Sequence, residues 1–168
     1  AGEEQLNAEV DYGAIFAEVH PDKSWGDAWR QTYESRRILG SELWTWVDGV
    51  QGPDAPMIQV NLMWTDDGAA YTAMESEVWK PVHQVLTDNG DRAGWAVWSL
   101  MSPGGTDVPY NYATVDALNH MGPVPLAEAF AAAHPNIDSE AIMAESETVR
   151  SIFRSAIWTL LASTASRQ

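Results

Sequence analysis

Cysteine is absent from the 168-residue chain. Disulfide bonds, thiolate zinc sites, iron–sulfur clusters and cysteine nucleophiles are therefore excluded. Two common catalytic motifs are also missing, because the chain contains neither Gly-x-Ser-x-Gly nor His-Glu-x-x-His. From the sequence we expect no metal site and no bound cofactor.

Basic residues are scarce, since nine Lys and Arg stand against 24 Asp and Glu and the net charge is −15. A field of this sign repels nucleic-acid phosphates and anionic membrane surfaces, so we expect neither as a partner. The chain has no run of 18 apolar residues that could span a bilayer. We interpret the acidic excess as a property that keeps the protein in solution.

No Met precedes the first residues, which are polar: the chain begins Ala1-Gly2-Glu3-Glu4. This start suggests a processed N-terminus and a secreted or periplasmic protein, although a trimmed sequence would look the same. A length of 168 residues suits one domain with a substantial core.

Tryptophan is unusually frequent, with nine copies in the chain. A hydrophobic core seldom needs so many large rings, because each brings an N–H group that must find an acceptor. The excess indicates an aromatic-lined pocket or an aromatic subunit interface.

A helix is predicted from residue 71 to residue 88, because apolar side chains recur there every three or four residues: Tyr71, Met74, Val78, Val82 and Val85. Asp67 and its neighbours can cap its start, and Asn89-Gly90 suits its end. Pro81 removes one helical hydrogen bond and clashes with the preceding turn, at about 3 kcal/mol. We therefore expect a kink or a break between Glu77 and Pro81.

A second stripe follows the same helix, because Glu75, Trp79 and His83 are each four residues apart, with Lys80 beside them. A carboxylate, an indole and an imidazole on one flank could line a cleft in which Glu75 or His83 carries protons. The alternative is an ordinary helix flank, on which Glu75 pairs, Trp79 packs and His83 is solvated.

Helices and strands alternate along the chain. Strands are predicted at 12–20, 41–50, 57–64, 93–101, 110–118 and 155–162, and helices at 25–37, 71–88, 126–133 and 139–152. An internal echo, in which 36–45 resembles 150–159, favours a strand at the end of the chain. We predict one α+β domain over 1–168, with a ferredoxin-like β-α-β-β-α-β unit at 57–164 and an extra N-terminal β-α-β unit at 1–52.

Several motifs between residues 57 and 112 resemble those of a group of largely uncharacterised bacterial proteins. They are Glu75-x-x-x-Trp79-Lys80-Pro81-x-His83, Gly94-Trp95, Ser102-Pro103-Gly104-Gly105-Thr106 and Tyr110-Asn111-Tyr112. The fold of that group is similar to the dimeric α+β barrel superfamily, which includes NIPSNAP-like, EthD-like and antibiotic-biosynthesis monooxygenase-like domains. The superfamily includes cofactor-free oxygenases, cyclases and haem enzymes, so the resemblance implies a fold and leaves the reaction open. The extra N-terminal unit departs from the usual pattern.

The resemblance implies a pocket between the sheet and the helices. Glu75 and His83 would be its catalytic residues, and seven others would bind the substrate: Asn61, Trp79, Lys80, Trp95, Trp98, Tyr110 and Tyr112. Trp95 and Trp98 are three apart in a strand and should point to opposite faces, so one of them would belong to the core. Tyr110 and Tyr112 should share a face, where packing is an alternative role, and Asn61 could instead face solvent.

Two functions fit these features. The first is a protein that binds a small and partly aromatic molecule, either as a binding protein or as a metal-free enzyme. The second is a non-catalytic interaction or assembly protein, with a homodimer favoured, whose aromatic sheet face is the subunit interface. That face needs a cover, which dimerisation or packing of the N-terminal unit would supply. Haem binding with His83 as axial ligand is a third option.

Overall fold

The structure, a computed structural model, describes residues 9–104 and 107–162. The polar start of the chain, and Gly105 and Thr106 of the loop motif, lie outside the described residues. The chain divides into two compact units, one that ends at Ser41 and one that begins at Glu42. The expectation of a single domain over the whole chain stays a prediction.

In the first unit, residues 9–41 form two helices, α1 (Tyr12–Val19) and α2 (Trp25–Ser35). The strand predicted for the first of these segments is therefore wrong. The Asp11 side chain accepts a hydrogen bond from the first turn of α1 and so caps that helix. Phe16 of α1 also contacts Trp25 of α2, with 5.4 Å between the ring centroids, although no residue of α1 is buried.

The long helix of the second unit is interrupted where Pro81 predicts a break. It consists of helix α3 (Gly68–Met74), a π-helical turn (Glu75–Trp79) and helix α4 (Lys80–Asp88). In the turn, the Lys80 N–H donates to the Glu75 carbonyl five residues back. The predicted cap and C-terminal end are confirmed, because Asp67 caps α3 and Gly90 follows α4 at a φ of +80°, whereas the helix begins three residues earlier than predicted, at Gly68. No helix in the described part of the chain is both long and apolar enough to cross a membrane.

The second unit is built on five antiparallel strands: β1 (Leu43–Val50), β2 (Met57–Trp64), β3 (Gly94–Ser102), β4 (Tyr112–Leu118) and β5 (Ser151–Thr159). Their spatial order is β1-β3-β4-β2-β5. Helices α5 (Leu126–Ala133) and α6 (Ser139–Val149) connect β4 to β5, so the element order from β2 onward is β-α-β-β-α-β.

The predicted ferredoxin-like α+β unit is confirmed by this order of elements and strands. Strand β1 extends the sheet beside β3. The predicted N-terminal β-α-β unit needs correction, because from residue 9 onward the elements up to β1 are α-α-β. Strand β5 also begins four residues earlier than predicted, directly after α6.

The two faces of the sheet differ in polarity. Along β2 and β4, the side chains that face away from the helices are apolar: Ile58, Val60, Leu62, Ala113 and Val115. The helix side carries polar Asn61, Thr114 and Asp116, and at the end of the ladder it carries apolar Met63 and Tyr112, which pack against Tyr71. The helix side therefore combines a polar site with core packing, and the open face is an apolar surface.

Two hydrophobic clusters form the core. The helix cluster consists of Met74, Trp79, Val82, Leu86, Ala129 and Phe130. The sheet cluster consists of Met63, Tyr71, Trp95 and Val97. Each cluster contributes one tryptophan to the site described next, Trp79 from the helices and Trp95 from the sheet.

Candidate functional site

A cavity of about 540 Å³ lies between the helix side of the sheet and the helices. We call this cavity the chamber. It brings together five of the residues predicted for the site: Asn61, Glu75, Trp79, His83 and Trp95. Strand alternation and the four-residue spacing of the helix flank explain why these side chains meet.

Two of the other predicted site residues lie elsewhere for simple geometric reasons. Lys80 joins helix α4 to strand β1, where its Nζ is 2.7 Å from Asp48 Oδ1. Trp98 lies on the open face of the sheet, because it follows Trp95 by three residues on the same strand. The expectation that the two tryptophans point to opposite faces is confirmed.

Tyr110 and Tyr112 do not share a face, contrary to the sequence-based expectation. Tyr112 packs edge-on against Tyr71, with 4.8 Å between the ring centroids. Tyr110 precedes strand β4, so strand alternation does not govern its direction. Its hydroxyl donates to the Glu42 carboxylate and its ring stacks on Trp44. Neither tyrosine is among the residues that line the chamber.

Glu75 is deeply buried, with 3% of its surface exposed. Burial raises its pKa to about 7, although a hydrogen bond from the Tyr71 hydroxyl and the charge of Arg150 both favour the ionised form. Tyr71 Oη also lies 3.4 Å from Met63 Sδ, but an ionised carboxylate is the stronger acceptor. A carboxyl group with this pKa exchanges its proton readily at neutral pH.

His83 lies parallel to Trp95, with 4.8 Å between the ring centroids and 6° between the ring planes. Burial, together with the nearby charge of Arg92, lowers the pKa of His83 to about 3. Its Nδ1 is 3.8 Å from Asp116 Oδ1, which is beyond hydrogen-bond range. The imidazole is therefore neutral at physiological pH and offers hydrogen-bonding atoms instead of a charge.

Asp116 is held from two sides. Arg92 Nη1 lies 2.9 Å from Asp116 Oδ1, although the angle of this ion pair is too poor for a hydrogen bond. Asn61 Nδ2 lies 3.3 Å from Asp116 Oδ2 and donates to it, while the Asn61 amide oxygen accepts two further hydrogen bonds. Burial raises the pKa of Asp116, whereas Arg92 and Asn61 act in the opposite direction. Asn61 is thus fully engaged and positions Asp116.

Buried side-chain atoms without a hydrogen-bond partner converge on the chamber. Within residues 9–104 and 107–162 there are five: His83 Nδ1, Arg92 Nε, Arg92 Nη1, Asp116 Oδ1 and Arg150 Nε. All four residues line the chamber. Because a buried polar atom without a partner costs about 1–3 kcal/mol, such a cluster is typical of a site that binds a polar molecule or ordered water.

Sequence reasoning missed ten of the fifteen lining residues, and four of these shape the chemistry of the chamber: Arg92, Asp116, Ser146 and Arg150. Ser146 Oγ lies 3.2 Å from Trp79 Nε1 and accepts its hydrogen bond, which fixes the indole as a wall of the chamber. The sequence did contain one signal for Asp116, because a carboxylate between two apolar residues of a predicted strand should face the opposite side of the sheet from them. No local pattern marks the other three, since tertiary structure brings them to the chamber.

The open face of the sheet carries a second cavity, of about 380 Å³. Apart from Glu42 and Arg154, its lining is apolar: Trp44, Ile58, Val60, Leu62, Trp98, Ala113, Val115, Ala156 and Trp158. Part of the surplus of tryptophan therefore lies on this face and part in the chamber.

No protein-family model matches the chain, and no curated protein matches it. Among solved structures, HapK from Hahella chejuensis is similar over 67% of this chain and 99% of that chain, at 14% identity and a TM-score of 0.41. A proposed monooxygenase from Lactobacillus acidophilus NCFM is similar over 83% of this chain and 61% of that chain, at 8% identity and a TM-score of 0.43. Because both similarities are low, we assign the fold from the strand order of the chain itself and argue its function from the chamber.

Proposed function

We propose that the chamber binds a small, partly aromatic molecule and that Glu75 exchanges a proton with it. The observation that carries the proposal is the convergence of the unpaired buried polar atoms on one cavity, which Trp79 and Trp95 also line. Its volume of about 540 Å³ falls within the range of about 300–1,000 Å³ that is common for small-molecule sites. A polar ligand would supply the partners that these atoms lack.

Glu75 is the proton carrier in this proposal, because a pKa of about 7 leaves both of its protonation states accessible at neutral pH. The carboxylic acid gives its proton to a carbon atom of the ligand, and the carboxylate that forms removes the proton that this carbon carried before. His83 acts as a neutral hydrogen-bonding group, since a pKa of about 3 makes it a weak base. The stacked rings of His83 and Trp95 offer a flat surface against which a ring of the ligand can pack. Tyr71 positions Glu75.

The test begins with native mass spectrometry of protein purified from its own source, which identifies any retained organic mass. A thermal-shift screen of aromatic acids and phenols supplies ligands if none is retained. The rate at which a bound ligand exchanges its C–H protons with deuterated water is then measured by NMR. Glu75→Gln should bind the ligand and abolish the exchange.

Glu77→Gln is the matched control, because Glu77 is exposed on the same helical turn and the side-chain substitution is the same. Its exchange rate should equal that of the wild type. Undiminished exchange in Glu75→Gln would remove Glu75 from the proposed role.

Self-association through the open face of the sheet is a second candidate function. The observation that favours it is the apolar lining contributed by all five strands, since large apolar patches mark interaction surfaces. We propose a homodimer in which this face is the interface. If self-association is its only role, the protein is a non-catalytic assembly subunit.

Light scattering coupled to size exclusion tests the second candidate. Val60→Glu places a charge on the open face and should shift a dimer to a monomer, whereas Val19→Glu, at an exposed valine outside the sheet, should leave the mass unchanged. A wild-type protein that is monomeric at micromolar concentration would contradict the interface.

A further inference from the structure

Two of the nine basic residues of this acidic chain line the chamber, Arg92 and Arg150. Arg92 lies 2.9 Å from Asp116, which balances its charge. Among the described residues, the one carboxylate within ion-pair distance of Arg150 is Glu75, at 3.6 Å. The charge of Arg150 is therefore balanced only when Glu75 is ionised.

The protonation state of Glu75 thus decides the net charge of the chamber. The ionisable groups that face Glu75 are Tyr71, Arg150 and Asp116, and burial is the largest influence on it, in favour of the protonated form. With Glu75 protonated and His83 neutral, the chamber holds two guanidinium groups and one buried carboxylate. One positive charge is left without a buried counter-charge.

The remaining acidic residue of the lining, Glu147, does not fill this gap. Glu147 is exposed, so solvent screens its charge. A cationic ligand would add to the positive excess, and a neutral ligand would leave it uncompensated. A ligand with a single negative charge balances it.

We propose that the chamber takes an aromatic monoanion, a ring system with one carboxylate, and that this carboxylate pairs with the Arg150 guanidinium while Glu75 is protonated. The inference rests on the proposed function, because it names the ligand class of the same site. A guanidinium presents parallel N–H groups that match the two oxygens of a carboxylate. Arg150 Nε is buried and has no hydrogen-bond partner among the described residues, and the stack of His83 on Trp95 gives the ring a surface.

Two probes test the charge requirement directly, 2-naphthoate and its neutral counterpart 2-naphthamide. They share the same bicyclic ring, so a difference in affinity reports on the carboxylate. By isothermal titration calorimetry with the full chain at pH 6.5, naphthoate should bind at least about tenfold more tightly than naphthamide. This comparison needs no variant and does not depend on how a substitution affects folding.

Variants then locate the carboxylate. Arg150→Gln should weaken naphthoate binding by about tenfold or more and leave naphthamide unchanged, and Arg150→Lys should retain part of the affinity. Arg154→Gln is the matched control, since Arg154 lies on the same strand but lines the cavity of the open face. Titrations at pH 7.5 in buffers of different ionisation enthalpy should show that naphthoate binding takes up a proton, and Glu75→Gln should remove that uptake.

Three outcomes would overturn the proposal. Equal affinity for the two probes, or a naphthoate affinity that Arg150→Gln does not change, removes the anion requirement and leaves a small-molecule chamber in place. Weakening by Arg154→Gln instead of Arg150→Gln locates the anion on the open face. Failure of both probes to bind at millimolar concentration counts against this proposal and the proposed function together.

Discussion

Glu75→Gln should make the folded protein more stable than the wild type at pH 8 and leave its stability unchanged at pH 4. Glutamine keeps the shape of glutamate but has no ionisable proton, so the substitution removes a charge without opening a cavity. In the wild type, the folded-state pKa of about 7 lies above the ordinary value of 4.5. As the pH rises between these values, the unfolded state releases its proton while the folded state keeps it, so the free energy of unfolding falls.

The size of the effect follows from the two pKa values. One pH unit corresponds to about 1.4 kcal/mol, so the gap between 4.5 and about 7 amounts to a loss of about 3 kcal/mol, complete above pH 7. The attraction of Arg150 and the hydrogen bond from Tyr71 are already contained in this net value. Because only 3% of Glu75 is exposed, solvent screening reduces the effect little.

Urea unfolding between pH 4 and pH 8.5, followed by tryptophan fluorescence and far-UV circular dichroism, measures the difference. Glu77→Gln serves as the control, because it makes the same side-chain substitution at an exposed position. The Glu75→Gln curve should separate from both others above pH 4.5 and run parallel to them above pH 7. Curves that stay parallel over the whole range would mean that Glu75 ionises near its ordinary pKa, and the argument for a buried proton carrier would fail.

Three further substitutions test other contacts. The pKa of His83 is depressed from 6.5 to about 3 in the folded state, so between these pH values only the unfolded state binds the proton. The free energy of unfolding of the wild type therefore falls as the pH is lowered from 6.5 to about 3. His83→Phe has no such proton and should show a smaller fall over this range in urea unfolding. Ser146→Ala leaves the buried Trp79 N–H without its acceptor and should lower the free energy of unfolding by about 1–3 kcal/mol, whereas the exposed Thr148→Ala should change it little. Asp67→Ala removes the cap of α3 and should cost about 1 kcal/mol in thermal unfolding, while Asp67→Asn should retain most of the stability. A Ser146→Ala midpoint equal to that of Thr148→Ala, or equal losses for Asp67→Ala and Asp67→Asn, would contradict these two assignments.

Local chemistry made much of the fold predictable. Asp67, Pro81 and Gly90 each act within their own helical turn, so their effects were visible in the sequence. The regular alternation from Met57 to Trp64 predicted both ends of β2. The segment at 12–20 was mistaken for a strand, because a short apolar run fits either period until a neighbouring helix packs against it.

The sequence predicted only those chamber residues that lie on one helix flank or on two strands, β2 and β3. Glu75, Trp79 and His83 reach the same cavity because their spacing keeps them on one flank. Trp98 was misplaced, since the sequence does not say which face of the sheet the helices cover. Arg92 and Arg150, which set the charge of the chamber, come from elements far apart in the chain.

Division of the hydrophobic core into a helix cluster and a sheet cluster bears on the motions of the second unit. Helix α5 contributes Ala129 and Phe130 to the helix cluster alone, whereas Val149 of α6 packs against both clusters. Helix α5 should therefore open locally at a lower free energy than the central strands, and its amide hydrogens should exchange faster than those of β2, β3 and β4. A ligand that touches both Trp79 and Trp95 would bridge the clusters and slow exchange in the helices, so exchange rates far from the ligand would report whether the chamber is filled.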